Sequence, residues 1–262
     1  MADDNGGLAD AVVGVVAEAA QMAFARWRTD FLRWEKPGGS PVCEVDLDVD
    51  TMLRARLAVL VPDAGWLSEE TADNPARLGA DRVWVVDPID GTRDYIRGRE
   101  GWAVSVALVD RGRPAIAVLD APARGERWRA VAGQGASRNG AALRVGDRVE
   151  LGGARAPVDA LPKADRDLAI VHKPNSIALR IAMVAADEAD LVATLRWGSE
   201  WDIAAAVLIA SEAGAAVSDA LGNPLAFNKP DPRAFGVLVS TPGIHAAAID
   251  RLADRAHALS RA

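Results

Sequence analysis

The sequence predicts a layered α/β sandwich, with an antiparallel-rich sheet in the N-terminal part and a smaller C-terminal α/β part. Between residues 83 and 131, short apolar segments follow one another with turn residues between them, as is typical of neighbouring antiparallel strands. After residue 176, apolar segments at helical spacing alternate with short β segments, which favours an α/β layer. We place the two parts at residues 1–150 and 151–262.

The individual elements follow from hydrophobic periodicity. Apolar residues at helical spacing predict helices over residues 8–25, 46–60, 176–186, 202–213 and 243–258. Short apolar runs between turn signals predict strands over residues 83–86, 103–109, 115–118, 127–131, 191–195, 216–218 and 236–240. Pro62 ends the second helix because proline cannot continue a helix, and the glycine- and proline-rich segment 37–41 predicts a loop.

Composition restricts the function classes. The chain has 262 residues, 50% of them hydrophobic, which is enough for a sizeable core. Its formal net charge is −7, so its surface repels polyanions and we expect no nucleic acid polymer as a partner. An anionic substrate would therefore need local help from cations or basic side chains.

The compartment is predicted from cysteine usage and from the N-terminal segment. Cys43 is the single cysteine, so a disulfide within the chain is impossible, as in proteins of reducing compartments. The segment 8–25 is apolar but contains Asp10 and Glu18, and it falls short of the about 20 apolar residues of a membrane span. The first residues lack the basic start of a signal peptide. We expect a cytoplasmic protein without a membrane partner.

The segment that carries most chemical information follows the strand predicted at 83–86. Asp87 and Asp90 come three residues apart at its end, with Pro88 restricting the backbone between them. Gly91 allows a tight turn and close approach of a ligand, and Thr92 adds a hydroxyl. Two carboxylates without an interleaved lysine or histidine suit a hard divalent cation, which prefers oxygen ligands.

Two further acidic positions extend this set. Glu69 and Glu70 follow Leu67-Ser68, and Asp202 follows Trp201. Asp202 is predicted to be the N-cap of the next helix, because aspartate there accepts backbone N–H bonds. Spacing alone leaves open whether these carboxylates converge or lie separately in solvated loops.

In this order along the chain, the motifs resemble those of the inositol monophosphatase superfamily, the lithium-sensitive, magnesium-dependent phosphatases. The resemblance covers about residues 42 to 240 and implies the sugar-phosphatase-like fold. It rests on Trp-x-x-Asp-Pro-x-Asp-Gly-Thr at 84–92, Trp-Asp and an alanine-rich helix at 201–206, Leu-Ser-Glu-Glu at 67–70, and a glycine-rich turn at 133–140.

The resemblance implies magnesium as the cofactor, with two or three ions. One ion would be held by Glu69, Asp87 and the carbonyl oxygen of Ile89. A second would be held by Asp87, Asp90 and Asp202. Such cations neutralise a phosphate ester and lower the pKa of a bound water.

The resemblance also implies how phosphate and water are held. Gly91 and Thr92 would contact phosphate through backbone N–H groups, and Asp46, Glu69 and Thr92 would be the catalytic side chains. Thr92 and Asp46 would orient the attacking water. The family's threonine three residues before Asp46 is replaced by Cys43, so the hydrogen bonds at that helix start become a question for the structure.

The substrate is indicated by smaller differences. After Asp-Gly-Thr, this chain reads Arg-Asp-Tyr at 93–95, which resembles the 3′(2′),5′-bisphosphate nucleotidases rather than the Thr-Asn-Phe of inositol monophosphatases. The Leu-Ser-Glu-Glu at 67–70 points the same way. Leu195 stands where inositol-specific members carry a glutamate. The predicted substrate is 3′-phosphoadenosine 5′-phosphate.

Several residues are candidates for contacts with such a nucleotide. Arg93 and Ser176 are the predicted substrate contacts, and Arg93 with Arg99 could pair with the second phosphate. Tyr95 and Trp197 are candidate platforms for the base.

Alternatives stay open at this point. The chain could be an inositol-1-phosphate phosphatase, a histidinol- or sugar-phosphate phosphatase, or a catalytically silent metal-binding regulator. In each of these enzyme hypotheses, the partner is a small phosphorylated metabolite. The resemblance also admits a homodimer, since family members are often dimers.

Overall fold

The structure is a computed structural model that describes residues 2–36 and 39–261, so residues 37 and 38 of the predicted loop lie outside the described residues. Its helices are α1 (Ala2–Arg26), α2 (Glu44–Leu60), α3 (Thr92–Ile96), α4 (Ile177–Ala185), α5 (Glu200–Glu212) and α6 (Pro242–Ser260). Its strands are β1 (Arg33–Glu35), β2 (Pro41–Cys43), β3 (Gly65–Ser68), β4 (Arg82–Asp90), β5 (Ala103–Asp110), β6 (Arg113–Ala121), β7 (Glu126–Val131), β8 (Ala136–Arg138), β9 (Ala141–Ala142), β10 (Arg155–Pro157), β11 (Ala169–Val171), β12 (Leu191–Ala193), β13 (Trp197–Ser199), β14 (Ala216–Ser218), β15 (Arg233–Phe235) and β16 (Leu238–Ser240).

A seven-stranded sheet in the order β3-β4-β5-β6-β7-β8-β9 forms the middle layer. β3 pairs with β4 in parallel, and every later pair is antiparallel. Side chains alternate between the two faces of a strand. Val83 and Val85 therefore pack with α4 and α5, while Trp84 and Val86 pack with α1 and α2. This α/β/α layering confirms the predicted fold class.

Shorter strands form the C-terminal part. β12, β16 and β14 make a three-stranded antiparallel sheet, and the remaining strand pairs there are β10 with β11 and β13 with β15. The largest apolar cluster joins residues from before and after residue 150, for example Leu119 and Val239. The division at residue 150 stays a prediction.

The predicted elements are present with small shifts, and one shift matters for the site. β4 was expected to end at Val86, but it continues to Asp90. Its pairing with β5 slips by one residue between Asp87 and Asp90. Pro88 lies inside this β-bulge, where its missing N–H removes no regular ladder bond.

The N-terminal helix is amphipathic in its packing. Residues 5–26 are long and apolar enough to cross a membrane by length and composition alone. The same helix buries Val12, Val16 and Ala20 against α2 and the sheet. This packing is that of a core helix in a layered protein.

Two glycine substitutions test the described backbone, one at a crowded position that should be destabilised and one at an open helical position that should be stabilised. A Cβ at Gly236 would lie 2.1 Å from the Thr194 carbonyl oxygen, and its φ of +68° disfavours any other residue. Gly14 lies in α1 with nothing within 4 Å of an added Cβ. We expect Gly14→Ala to stabilise the fold by about 0.5–1 kcal/mol, because alanine favours helix. Gly236→Ala should destabilise it by at least about 1–3 kcal/mol because of its backbone conformation. Urea unfolding of both variants measures this, and a stable Gly236→Ala protein would contradict the described packing.

Candidate active site

The bulge in β4 directs two carboxylates to one end of the sheet. Asp87 is buried, and its Oδ1 accepts the Ile89 N–H at 3.0 Å. Asp90 follows at the end of the strand and is also buried. The extra residue in the bulge lets Asp87 and Asp90 approach the same region, although a regular strand would direct residues three apart to opposite faces.

Glu69 reaches this region from the neighbouring strand. Its N–H donates to the Val86 carbonyl at 3.3 Å, just past the end of β3. The segment is fixed from behind by Asp50 of α2, which accepts the hydroxyls of Ser68 and Thr71. Asp50 was missed by sequence reasoning, although its position one helical turn after Asp46 places both on one face of α2.

Asp202 arrives at the start of α5, but the prediction that it is the N-cap is wrong. The N-cap is Ser199, and Asp202 is the third helical residue, whose Oδ2 accepts the Ser199 N–H at 3.0 Å. This is the reciprocal half of a capping box, a role that acidic residues fill at this position. The shift leaves the other carboxylate oxygen of Asp202 free to face the cleft.

Three of the predicted metal ligands meet in space. Carboxylate oxygens of Glu69, Asp87 and Asp202 all lie within 4.8 Å of one another. Asp90 lines the same cleft, and its charge raises the pKa of both Asp87 and Asp202. Three segments, the end of β3, the bulge of β4 and the start of α5, therefore deliver four carboxylates to one place.

The Asp90 carboxylate also holds the start of α4. It accepts the Ser176 hydroxyl and the N–H groups of Ile177 and Ala178, at 3.3 and 2.7 Å. Both of its oxygens thus have donors from the chain. Asp90 links the bulge of β4 to the helix on the other side of the cleft.

The pKa values of this cluster are raised. Burial, followed by the charge of Asp90, raises the pKa of Asp202 to about 7. Burial also raises the pKa of Asp90 to about 6, against the lowering effect of its hydrogen bonds, and raises that of Asp87 well above its usual range. The negative charge of these carboxylates is not fully balanced by nearby positive charge. The donor set, which consists of hard oxygens with unbalanced negative charge, fits a divalent cation such as Mg²⁺.

Asp46 and Thr92 also come together, as the family resemblance implied. The Thr92 Oγ1 lies 2.9 Å from the Ile89 carbonyl oxygen, to which it donates, and 3.3 Å from Asp46 Oδ1. The other oxygen of Asp46 accepts the backbone N–H and the thiol of Cys43, both at 2.9 Å. Cysteine therefore keeps the capping hydrogen bonds at this helix start. Burial raises the pKa of the Cys43 thiol, so it stays protonated and can donate.

The carboxylates form the floor of a cleft of about 680 Å³ with a basic rim. The rim side chains are Lys36, Arg93, Lys173, Arg180 and Arg196. The Lys36 Nζ lies 3.0 Å from Glu69 and 2.6 Å from Glu70. Four of these basic residues were missed by sequence reasoning. For Arg180 a signal existed, because it lies four residues after Ser176 on the helix that Asp90 caps.

Arg180 is held in place by the loop before its helix. Its Nε donates to the Ser176 carbonyl at 3.2 Å and its Nη2 to the Asn175 carbonyl at 3.0 Å. Burial lowers its pKa, and the charge of Arg196 adds to this effect. Two like charges that lie close together without a carboxylate hydrogen bond, among the described residues, favour an anion in the cleft.

The structure places some of the predicted substrate contacts in the cleft and others outside it. Arg93 and Trp197 line the cleft. The contact predicted for Ser176 does not fit its place, because Ser176 is fully buried as the N-cap of α4. Tyr95 is also wrong as a base platform, since it is buried and donates to the Ala23 carbonyl at 2.8 Å. Arg99 lies in a neighbouring pocket rather than in the cleft.

The layered fold and the carboxylate cleft with its basic rim define a hydrolase of the phosphatase class. A sequence model of the inositol monophosphatase family matches residues 4–259. The chain therefore belongs to the inositol monophosphatase family, as the sequence motifs indicated. Enzymes of this family act on small phosphorylated substrates and generally depend on magnesium.

Individual relatives are similar over most of the chain. It is 31% identical to the 3′(2′),5′-bisphosphate nucleotidase CysQ of Salmonella typhimurium, over 82% of this chain and 87% of that protein. It is 33% identical to the fructose-1,6-bisphosphatase/inositol-1-monophosphatase of Thermotoga maritima (72% and 75%) and 35% identical to the Nus factor SuhB of Pseudomonas aeruginosa (72% and 76%). Among solved structures, the Thermotoga maritima IMPase superposes with a TM-score of 0.81 at 27% identity, over 94% of this chain and 97% of that one.

The raised pKa values predict how the stability of the metal-free protein depends on pH. Folded Asp202, with a pKa of about 7, binds protons more readily than unfolded aspartate, with a pKa of about 4, so folding takes up protons between these values. This contribution to stability is present at low pH and is lost as the pH rises. We expect the melting temperature in EDTA to fall between about pH 5 and pH 7.5, and Mg²⁺ to raise it more at the higher pH.

Asp202→Asn is the matched variant for this measurement, because it removes one of the titrating groups without changing the shape. Its melting temperature should depend less on pH and respond less to Mg²⁺. An equal Mg²⁺ response in the two proteins would contradict the role of this cluster.

Proposed function

We propose that the chain is a magnesium-dependent phosphatase that prefers 3′(2′),5′-bisphosphate nucleotides such as 3′-phosphoadenosine 5′-phosphate. The observation that carries the proposal is that one cleft joins a carboxylate floor to the basic pair Arg180 and Arg196 and to the exposed ring of Trp197. A phosphate monoester with a second anionic group and a flat base matches these three features. The 31% identity to a 3′(2′),5′-bisphosphate nucleotidase supports it.

The metal would be held by the residues that the resemblance names. Glu69, Asp87 and the Ile89 carbonyl would hold one ion, and Asp87, Asp90 and Asp202 a second. The raised pKa values of Asp87, Asp90 and Asp202 support this, since a bound cation would relieve their repulsion. Magnesium in this position supplies Lewis-acid stabilisation of the phosphate and a more acidic water.

The chain's own groups would orient the reactants. The hydroxyl of Thr92 lies within hydrogen-bond distance of Asp46 Oδ1, at 3.3 Å, and a water bound between the substrate and these oxygens would donate its hydrogens to them. The pKa of Asp46 is raised to about 6 by burial, which suits a group that accepts a proton near neutral pH. The N–H groups of Gly91 and Thr92 lie at the start of α3 and would donate to phosphate oxygens.

The far side of the cleft would select the substrate. Arg180 and Arg196 would bind the second phosphate, because the planar guanidinium pairs with two phosphate oxygens at once. Trp197 offers a face for the adenine, with the Arg233 guanidinium 5.4 Å from its ring centre. Leu195, the position that distinguishes inositol-specific members, lines a separate apolar cavity, so Arg196 is the rim residue at this place.

A second candidate is an inositol-type or sugar-type phosphatase. It is favoured by the 33% identity to the Thermotoga maritima enzyme and by the basic rim, which would also attract a sugar bisphosphate. The two candidates share the carboxylate floor and differ only at the rim.

Glu69→Gln tests the metal floor. We choose it over Asp90→Asn because Asp90 also caps α4, whereas the Glu69 side chain is hydrogen-bonded only to Lys36 among the described residues. The substitution removes one charge and keeps the shape. We expect turnover to fall on the order of 100-fold or more while the circular dichroism spectrum is unchanged.

The exposed Glu150→Gln is the control for this test and should keep normal turnover. Metal-free protein should be inactive and recover on addition of Mg²⁺. Full activity in EDTA, with metal content verified as nil, would refute the metal proposal.

A paired-substrate assay tests the specificity. We expect kcat/KM for 3′-phosphoadenosine 5′-phosphate to exceed that for inositol 1-phosphate at least about tenfold, or about 1.4 kcal/mol. Arg196→Gln should raise KM for the bisphosphate about tenfold and leave 3′-AMP, which lacks the second phosphate, nearly unchanged.

Arg54→Gln, an exposed arginine of α2, is the matched control and should change neither substrate. A preference for inositol 1-phosphate or fructose 1,6-bisphosphate would reject the nucleotidase proposal while leaving the phosphatase assignment intact.

A further inference from the structure

A second basic pocket of about 490 Å³ opens beside the catalytic cleft. Its basic lining residues are Arg28, Arg97, Arg99, Arg124, His172 and Lys173, and its acidic ones are Asp94, Glu100 and Asp159. A concentration of cations is unusual for a chain with a net charge of −7. How strongly the pocket attracts an anion depends on how many of these positive charges are already neutralised within the protein.

Several of the charges are neutralised by partners. Lys173 pairs with Asp159, and Arg124 donates to Glu126 at 2.9 and 3.1 Å. Asp94 accepts the backbone N–H of Asn175 at 3.1 Å. Three arginines of the pocket, Arg28, Arg97 and Arg99, are not part of these pairs.

The remaining arginines lack a close carboxylate. Among the described residues, the Arg97 side chain has no hydrogen bond or ion pair, and that of Arg28 donates only to the Gly98 carbonyl, at 3.0 Å. Arg99 approaches Asp94 only to 3.9 Å. Three guanidinium groups thus line one pocket, with Glu100 as the acidic group there that has no hydrogen bond or ion pair within the described chain.

Arg28 is exposed, but its side chain is oriented by contacts within the protein. Its backbone adopts the left-handed conformation, with φ of 64°, immediately after α1. Its guanidinium carbon lies 4.0 Å from the ring centre of Trp27, and its Nε is bound to Gly98. The two Nη groups have no partner in the described part of the chain. A fixed arginine loses little freedom when it binds an oxyanion.

The pocket is separate from the cleft although it adjoins it. The two share only Lys173 and Asn175 among their lining residues. Asp94 and the Asn175 backbone are hydrogen-bonded to each other and pass between them. α3 presents Arg93 to the cleft, and one helical turn later Arg97 lines the pocket.

We propose that Arg28, Arg97 and Arg99 form a binding site for a small tetrahedral oxyanion, distinct from the catalytic cleft. Guanidinium groups suit such an anion because each offers two parallel N–H donors to its oxygens. Inorganic phosphate is the natural occupant, since a phosphatase releases it in the adjoining cleft. The site does not depend on which substrate the enzyme prefers.

Sulfate binding to the metal-free protein tests the site. Calorimetric titration at low ionic strength measures this binding. Without metal, the carboxylate floor disfavours sulfate in the cleft, and the Arg196→Gln variant distinguishes sulfate held at the cleft rim from sulfate in the basic pocket. We expect one sulfate for each chain. The Arg28→Gln/Arg97→Gln double variant should bind at least about tenfold more weakly, as expected when charge-assisted hydrogen bonds are lost.

Two control variants locate the sulfate. Arg54→Gln, a remote variant, should bind sulfate as the unaltered protein does, and Arg196→Gln, a variant of the catalytic cleft, should keep the sulfate site that the double variant loses. Arg97→Gln alone should weaken binding severalfold, and it keeps the test decisive should the double variant fold poorly, because the exposed Arg97 side chain has no hydrogen bond or ion pair in the described chain.

Three results would overturn the proposal. The first is the absence of sulfate binding, and the second is binding that is lost in Arg196→Gln but kept in the double variant. The third is competitive displacement of sulfate by adenosine 3′,5′-bisphosphate in the metal-free protein, since that would assign the pocket to the substrate. None of these depends on activity, so the proposed function stands or falls separately.

Discussion

The structure depends on holding several carboxylates together in a buried place against their mutual repulsion. Oxygens of Glu69, Asp87 and Asp202 lie within 4.8 Å of one another, with Asp90 beside them. Like charges at this separation, with Asp87 buried and Glu69 and Asp202 only partly exposed, disfavour the ionised form. The surrounding chain offsets part of this cost with hydrogen-bond donors, and the remaining deficit of positive charge is what gives the site its affinity for cations.

Helix starts supply most of those donors. α2, α4 and α5 all begin at the cleft, and Asp46, Asp90 and Asp202 each accept a backbone N–H at one of these starts. The N-terminal end of a helix carries partial positive charge, which favours a nearby carboxylate. The same hydrogen bonds that stabilise the helices therefore orient the carboxylates without a bound ligand.

Close backbone packing completes this arrangement. A Cβ at Gly91 would lie 2.6 Å from the Gly101 carbonyl oxygen, and one at Gly101 would lie 2.2 Å from an Asp94 carboxylate oxygen. Ser176 donates its N–H to Gly101 at 2.9 Å. The phosphate loop, the loop before β5 and the start of α4 thus form one unit. Asp94 and Tyr95, which looked like specificity residues, hold this unit together from within.

The sequence by itself determined five of the helices, the longer strands and the carboxylate motif, because periodicity, capping and proline placement act over a few neighbouring residues. It did not predict α3 or the short strands β1–β3, β8–β11, β13 and β15. Asp87 and Asp90 could be recognised for this reason, and the resemblance added that Glu69 and Asp202 join them as metal ligands. Only the tertiary structure decided that Tyr95 and Ser176 are buried, and that Lys36, Arg180 and Arg196 meet at one rim. These outcomes depend on contacts between segments far apart in the sequence, such as Tyr95 with Ala23 and Ser176 with Asp90, which no local pattern records.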